Sequence, residues 1–393
     1  MKKLVFRIIS AMLAAVMLLS PVLAAEAEQK TEKLEWNELE EKIKKGNLVF
    51  LALDKNISGI ETVDYDSLYN SLRSQLRDIS NAQSFMFEMG DYNALNSLNA
   101  SIAPLLETYE DLRDGKPQRD SENAAKQLRD AQNQVIAGAQ SLYINILAME
   151  QSLRDGERGI AAMDRALSEL RLRRAFGQVS DVAVEDLLRT RDNTKSTLLS
   201  LENTIFLCKA QLQLLIGEET DGDITLGDLP DPEKKAAELD VEADLAVAKE
   251  KSLSIENARL ENIKAQEKVK ETDEEYRSGD VQKYQLTIAQ KSADAAELSY
   301  NSAIRNFELS FMEAHRAIAD AEQTLENRNA AVEYQKKKLE ISAKQYQLGT
   351  ISYFAYLTAQ ESLQEAESEV KNAERDLFTA LNRYNNAVAF GIL

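Results

Sequence analysis

The feature that most constrains this chain is an unbroken heptad pattern near its C-terminus. Small or apolar residues recur there at steps that alternate between three and four positions. They are Tyr356, Ala359, Leu363, Ala366, Val370, Ala373, Leu377, Ala380, Tyr384 and Ala387. This spacing is that of a coiled-coil seam, so it predicts a long helix packed along its whole length against other helices. Gly349, just upstream, can end a helix at positive φ, and we therefore predict an antiparallel helical hairpin that turns there.

A second copy of this pattern lies 172 residues upstream, the distance from Gly177 to Gly349. Residues 176–180, Phe-Gly-Gln-Val-Ser, match residues 348–352, Leu-Gly-Thr-Ile-Ser, in spacing and residue class. At the same offset the seam has counterparts in Leu198, Leu201, Ile205, Cys208, Leu212 and Leu215. A turn glycine and a packing seam have different physical causes, so their agreement on one offset indicates an internal duplication. A weaker third echo occurs at Gly279.

Composition favours long helices. Together with the turns and the duplication it predicts an all-α fold of long antiparallel hairpins in two repeated halves, with little or no β-structure. The chain of 393 residues has only 5 prolines and 14 glycines, too few for the many turns of a strand-rich domain. Aromatic residues make up 6%, so we expect narrow seams between helices rather than one large core. The apolar run 48–53 is the best strand candidate, although it could also be helical.

The sequence predicts four segments. Residues 1–25 have the charged start, apolar stretch and small-residue cleavage site of an export signal, with an uncleaved anchor as the alternative. Residues 26–217 form the first helical repeat, in which 80–118 is the least regular part because glycines and prolines interrupt it. An acidic linker, 218–232, precedes the second helical repeat, 233–393. No apolar run after the signal approaches the ~20 residues of a membrane-spanning helix.

Charge and residue counts exclude several classes of function. The formal net charge is −19, and it becomes −22 once the three basic residues of the export signal are removed. Such an acidic chain is unsuited to nucleic acid or anionic lipid headgroups, whereas a basic partner or cationic solutes would be tolerated. His315 and Cys208 are the only histidine and cysteine, which excludes most metal and thiol chemistry. No catalytic set is recognisable, so we predict no enzyme activity, no metal site and no cofactor.

Together these features resemble the TolC-type outer-membrane efflux family. The resemblance depends on two helix–Gly-x-(Val/Ile)-Ser–helix units at Gly177 and Gly349, the Leu-Leu-Ile-Gly217 end of the first copy, and the acidic linker. It covers most of residues 120–393, whereas 30–118 fit loosely. In that family three subunits assemble a helical tunnel, and the glycine turns meet the adaptor of an inner-membrane pump. The resemblance therefore implies an exported homotrimer that acts as a passive conduit for small molecules or proteins, coupled to an adaptor and an ABC or proton-driven pump.

The resemblance also implies roles for particular residues. The adaptor-facing turn residues would be Phe176, Gly177, Gln178, Leu348, Gly349 and Thr350. The candidates for lining the tunnel aperture would be Asp181, Glu185, Asp186, Ser352 and Tyr356. The chain departs from the family six positions after each turn glycine, where an acidic residue is frequent, because Ala183 and Ala355 stand there.

A second departure concerns the β-barrel that members of the family carry in the outer membrane. The segments where its strands would fall, around 275–288 and within 80–118, lack the alternation of apolar and polar residues that barrel strands need. We therefore expect a barrel reduced to short turns. This suits an outer-membrane or periplasmic protein of a diderm envelope, or an extracytoplasmic protein of a monoderm envelope. A non-conducting coiled-coil spacer is the main alternative function, and an adaptor-like subunit is a third.

Overall fold

Long helices dominate the computed structural model, which describes residues 33–89, 92–231 and 235–393. The predicted export signal, 1–25, lies outside these residues, as does Gly90, where the sequence predicts an interruption. The helices are α1 (Trp36–Gly46), α2 (Leu48–Glu61), α3 (Tyr65–Met89), α4 (Tyr92–Arg113), α5 (Lys116–Ala175), α6 (Asp181–Ile216), α7 (Val241–Lys251), α8 (Leu253–Ser278), α9 (Lys283–Gln347) and α10 (Tyr353–Phe390). The predicted all-α fold with two long hairpins is confirmed. Within the described ranges, no helix combines the length and the apolar character that crossing a membrane requires.

The apolar run 48–53, the best strand candidate, begins helix α2 instead. Asn47 explains this outcome, because its side-chain oxygen accepts the N–H of Phe50 at 2.9 Å and so caps the new helix. The side-chain amide of Asn47 also donates to the carbonyl of Leu215 at 2.9 Å, which anchors the cap on α6. An apolar run of this length is ambiguous by itself, and the capping residue before it decides in favour of a helix.

Region 80–118 is also more regular than the sequence predicts, because α3 and α4 occupy most of it. Pro104 lies inside α4, where it removes one backbone hydrogen bond without ending the helix. Helices α3 and α4 are joined by Tyr69 and Tyr109, whose rings stack at 4.9 Å and whose hydroxyl oxygens are 2.7 Å apart. Pro104 therefore does not interrupt this region as the sequence suggests, and paired aromatic rings contribute to the contact between the two helices.

The chain divides into two units. One unit, which we name the turn unit, comprises the described residues within 33–51, 135–251 and 304–393, and it holds both predicted glycine turns. The other unit comprises the described residues within 52–134 and 252–303 and includes the α3–α4 pair. The candidate functional residues all belong to the turn unit, so the following description concerns that unit.

Helices α5 and α6 form the first antiparallel hairpin of the turn unit. Asp164 pairs with Arg191 at 3.0 Å, and Glu150 pairs with Lys209 at 2.8 Å. The residue numbers fall on α5 as they rise on α6, as the two arms of a hairpin require. Gly156, in the middle of α5, allows α6 to approach closely, because a Cβ there would lie closer than 3.0 Å to the Leu198 side chain. Helix α5 continues through this glycine.

Helices α9 and α10 form the second antiparallel hairpin. The rings of Phe311 and Tyr384 lie 4.9 Å apart, and Arg328 pairs with Glu369 at 3.3 Å nearer the turn. Helix α10 has 38 residues, which corresponds to a length of about 57 Å. The predicted seam along it faces inward, since every one of its residues is buried or half-buried, with Ala359, Ala373, Leu377, Tyr384 and Ala387 the most buried.

The core of the turn unit lies where the acidic linker, residues 218–232, passes helix α5. Within the described residues the only β pairing is an isolated parallel bridge between Leu34 and Leu226. Beside it, the fully buried Tyr143 places its hydroxyl 2.8 Å from the carbonyl oxygen of Leu34 and 2.9 Å from that of Gly227. A single phenol thus links the segment before α1, helix α5 and the linker. Around it pack Leu39, Ile43, Ile136, Ala139, Ile146, Ile205, Leu212, Ile216 and Ile224.

Candidate functional site: the shared turn end

The two glycine turns have the same backbone structure. Gly177, at φ +71°, donates its N–H to the carbonyl of Arg174 at 2.8 Å, and Gly349, at φ +68°, donates to Tyr346 at 2.9 Å. In both turns the next residue donates to the carbonyl five positions back, also at 2.9 Å. This pair of bonds is the Schellman arrangement, which needs a left-handed residue and therefore favours glycine. The turn predicted from each glycine is therefore present.

Helices α5 and α10 place both turns at the same end of the turn unit. Gln151 donates to Ser368 Oγ at 2.7 Å. Arg165, nearer the first turn, pairs with Glu361, nearer the second turn. Because residue numbers rise along α5 as they fall along α10, the two helices are antiparallel. The end of α5 and the start of α10, each next to a glycine turn, consequently lie side by side.

The turn residues predicted to face an adaptor are exposed. Phe176 is 72% exposed and Leu348 is 78% exposed. The other members, Gly177, Gln178, Gly349 and Thr350, are exposed as well. Within the described residues these two apolar side chains lie at equivalent positions of neighbouring turns without a covering side chain. Their contact with an adaptor remains a prediction.

The predicted aperture residues have mixed surroundings. Asp181, Glu185, Asp186 and Ser352 are exposed, whereas Tyr356 is half-buried. The Ser352 hydroxyl accepts the N–H of Ala355 at 3.2 Å, and Ser180, at the equivalent position after the first turn, accepts the N–H of Ala183 at 3.3 Å. Both serines are thus helix N-caps. The two alanines at the family's acidic positions supply the N–H groups of these caps, and the aperture role stays a prediction.

Equivalent positions of the two turns carry different chemistry. Arg174 and Asp181 form an ion pair across the first turn. At the same positions of the second turn, Tyr346 and Tyr353 face each other with ring centres 5.7 Å apart. Tyr346 also stacks on Tyr356 at 5.5 Å. Tyr346 and Tyr353 were not among the site residues predicted from the sequence, although the offset of 172 residues applied to Arg174 and Asp181 leads to them.

A buried polar layer, which was not predicted from the sequence, joins the two hairpins. Ser368 donates its hydroxyl to Asp155 Oδ2 at 2.6 Å, and Gln151 donates to Asp155 Oδ1 at 3.0 Å as well as to Ser368. Gln151 and Ser368 are both 5% exposed. Neither belongs to a heptad seam, so no periodicity indicated it. A buried and satisfied polar layer of this kind specifies the register of the helices that it joins.

The only histidine and the only cysteine of the chain, His315 and Cys208, have packing roles. His315 Nε2 lies 3.2 Å from the carbonyl oxygen of Ala236, and its ring centre is 6.1 Å from that of Tyr384. Cys208 is half-buried against the core of the turn unit. Across the part of the chain that the structure describes, no group of His, Cys, Asp or Glu side chains is arranged to hold a metal ion.

We expect alkaline pH to destabilise the turn unit from about pH 10 upward. Tyr384 donates its hydroxyl to Asp244 at 2.7 Å, and burial together with this carboxylate raises the pKa of the phenol. The folded chain then holds the proton more tightly than the unfolded chain, so this contribution is complete below pH ~10 and is lost as pH rises. Tyr384→Phe should flatten the pH dependence of the urea midpoint, while Tyr334→Phe, at an exposed ring, should not. Equal slopes in both variants would contradict this prediction.

The fold and its turn end define a class of protein: two repeated long helical hairpins whose glycine turns lie together at one end. No family model matches the sequence, and no curated protein matches it. Among solved structures, the outer membrane protein VceC from Vibrio cholerae is similar, with a TM-score of 0.52 at 14% identity over 91% of this chain and 96% of that chain.

Two further solved structures show the same similarity. The outer-membrane channel OprN has a TM-score of 0.59 at 14% identity, with 90% of this chain and 89% of that chain covered. A membrane protein from Pseudomonas aeruginosa has a TM-score of 0.53 at 14% identity, over 90% of this chain and 89% of that one. At such low identity the likeness establishes the fold alone. It confirms the resemblance to TolC-type outer-membrane efflux proteins at that level.

Proposed function

We propose that this protein is an exported tunnel component of the cell envelope that serves passive efflux of small molecules or export of proteins. It acts as a homotrimer and couples through its turn end to a separate adaptor and an inner-membrane ABC or proton-driven pump. The observation that carries the proposal is the shared turn end, where two turns with the same backbone hydrogen bonds each expose a large apolar side chain, Phe176 in one and Leu348 in the other. The fold likeness to outer-membrane channels supports it.

The site residues divide into two groups in this proposal. Phe176, Gly177, Gln178, Leu348, Gly349 and Thr350 face the adaptor, whose apolar surface covers the two large side chains. Asp181, Glu185, Asp186, Ser352 and Tyr356, at the starts of α6 and α10, line the aperture. Large apolar side chains that are exposed on an otherwise polar surface are typical of protein-binding sites. No enzyme chemistry and no cofactor enter the proposal.

The assembly state separates this proposal from its main rival. Analytical ultracentrifugation of the mature chain at micromolar concentration should show a closed trimer, and deletion of the gene in its host should raise the intracellular level of a pump substrate. A monomer or a parallel dimer, together with unchanged efflux, would instead favour a non-conducting coiled-coil spacer.

The turn hypothesis predicts a specific effect of Gly349→Val. Gly349 lies at φ +68°, and nothing within 4 Å would touch an added Cβ, so the change costs backbone strain alone. We expect this strain to cost about 1–2 kcal/mol, which distorts the second turn while the long hairpin persists. Helix content by circular dichroism and sedimentation should remain unchanged, and efflux should fall by about tenfold, the factor that 1.4 kcal/mol represents.

Gly59→Val is the matched control for Gly349→Val. It makes the same substitution at a glycine that also has open space around it but has no left-handed φ. We expect near-normal efflux from this variant. If Gly349→Val retained full efflux and full adaptor capture, the turn would have no functional contact, and the proposed docking role would be wrong.

A further inference from the structure

Helices α3 and α4 form a hairpin of their own in the unit that does not contain the glycine turns. Tyr65, at the start of α3, bonds through its hydroxyl to Ser121 of α5, and Asp111, near the end of α4, pairs with Lys116 at 3.0 Å. Met89 ends α3 24 residues after Tyr65, which corresponds to about 36 Å along the helix. None of the 25 residues of α3 is buried. The hairpin therefore reaches far from its base without being enclosed.

The half-buried residues of α3 mark the face that packs on α4. They recur at steps of three and four positions, as Tyr69, Leu72, Leu76, Ile79, Gln83 and Met86. The contacts between the two helices lie on this row, since Tyr69 stacks on Tyr109 and Gln83 donates to Asn99 at 2.6 Å. The pairing of the two helices therefore uses this row, and it leaves the other sides of α3 uncovered.

Three large apolar side chains in the last turns of α3 lie off this row, and we name them the hairpin end. Phe85 is 56% exposed, Phe87 is 65% exposed and Met89 is 69% exposed. Phe85 and Phe87 are two positions apart, so they lie about 200° apart around the helix axis. The exposed apolar side chains thus lie on different sides of the helix instead of forming one flat patch.

The same part of the chain is poor in charge. Residues 79–106 contain 28 residues, of which only Glu88 and Asp91 are charged, whereas 29% of the whole chain is charged. A charged side chain is costly to remove from water, so a segment with few of them can enter an apolar environment more easily. Both charges are negative, which disfavours contact with anionic headgroups.

We infer that the hairpin end enters the headgroup region of a neutral phospholipid surface and attaches the chain there. Lipid suits side chains that lie on different sides of a helix, because it surrounds an inserted element, whereas a flat protein surface covers one side. The insertion is shallow, since no helix within the described ranges has the length and apolar character to cross a membrane. This attachment site goes beyond the proposed function and lies in a different unit from the glycine turns.

Flotation with phosphatidylcholine vesicles tests the inference on the chain without its export signal. Phe85→Ser and Phe87→Ser should each lower the ratio of vesicle-bound to unbound protein about tenfold, which corresponds to 1.4 kcal/mol. This effect is near the lower end of what burial of a large apolar side chain contributes, because the insertion is shallow. Leu68→Ser is the matched control, since Leu68 is 47% exposed near the start of the same helix. It should bind as the unmodified chain does, and circular dichroism should be unchanged in all three variants.

Lipid composition separates apolar insertion from electrostatic adhesion. Adding phosphatidylglycerol, an anionic lipid, to the vesicles should weaken binding, because Glu88 and Asp91 are repelled by its headgroup. Binding that requires the anionic lipid would contradict the inference, and so would an equal loss of binding in Leu68→Ser and Phe87→Ser.

Fluorescence tests which part of the hairpin enters the lipid. In Phe87→Trp, brominated phosphatidylcholine should quench more emission than in the unmodified chain, whose only tryptophan, Trp36, lies in the turn unit. Leu68→Trp should show no added quenching. If no form binds vesicles, or if Phe85→Ser and Phe87→Ser bind as the unmodified chain does, the inference is wrong. These measurements involve neither trimer formation nor efflux, so such a failure would leave the proposed function intact.

Discussion

Gly217→Val is expected to destabilise the turn unit by about 2–4 kcal/mol, the range of large backbone and packing defects. Gly217 ends α6 at φ +78°, where a β-branched residue is strained. It also meets Gly46 at the end of α1, and a Cβ on Gly217 would lie closer than 3.0 Å to the carbonyl oxygen of Gly46. A Cβ on Gly46 would in turn collide with the carbonyl of Ile216. The backbones of α1 and α6 therefore touch at Gly46 and Gly217, and neither can move away from an added side chain without losing this contact.

The measurement is the urea midpoint of unfolding followed by circular dichroism. Gly217→Ala should give a smaller loss than Gly217→Val, because its side chain is shorter although φ stays positive. Gly138→Ala is the control, since Gly138 lies within α5, and nothing lies within 4 Å of an added Cβ. That change should stabilise the chain by about 0.5–1 kcal/mol through helix propensity. Equal midpoints for Gly217→Val and the unmodified chain would show that the α1–α6 crossing does not support the fold.

Tyr143→Ala is expected to cost about 3–5 kcal/mol, the range for removing a fully buried aromatic side chain. The ring is 0% exposed, and it lies edge-on to Trp36 with ring centres 5.5 Å apart. Its hydroxyl donates to the carbonyl oxygens of Leu34 and Gly227, which belong to segments far apart in the chain. Loss of this side chain leaves a cavity and two carbonyl groups without their donor, so we expect the segment before α1 and the linker to loosen.

Tyr143→Phe separates the two contributions. It keeps the ring and removes the hydroxyl, so we expect a loss of about 1–3 kcal/mol, the cost of leaving a buried acceptor unpaired. Hydrogen exchange followed by mass spectrometry should show faster exchange at Leu34 and Gly227, whose backbone N–H groups donate at 2.9 Å to Thr225 and at 2.8 Å to Leu34. If Tyr143→Phe matched the unmodified chain in both measurements, the hydroxyl would be irrelevant to this junction.

The two glycine turns could be predicted well because their causes are local. A glycine at positive φ, a serine cap and an alternating seam are each set within a few residues, so Gly177 and Gly349 indicate turns without knowledge of the rest of the fold. The strand candidate at 48–53 shows that local sequence does not always determine secondary structure. Its apolar residues suit either structure, and the outcome depended on Asn47, which is held by the distant carbonyl of Leu215.

The polar layer and the tyrosine cluster of the second turn could not be found in the same way. Gln151 and Ser368 are 217 positions apart in the chain and meet because α5 and α10 run antiparallel. Tyr346 and Tyr356 stack because Gly349 reverses the chain between them. No periodicity marks Gln151, Ser368 or Tyr346, since each of them acquires its role from its neighbour in space.

The amino-acid sequence alone determined the helical content, the two glycine turns, the paired seams and the duplication, since backbone conformational preference and heptad spacing act over short distances. The tertiary structure decided which end the two turns share, which polar residues are buried, and which of two equivalent faces remains exposed. These properties depend on how helices from different parts of the chain pack together. The repeat offset of 172 residues relates the half-buried ion pair between Arg165 and Glu361 to two exposed cations, Lys337 and Arg189.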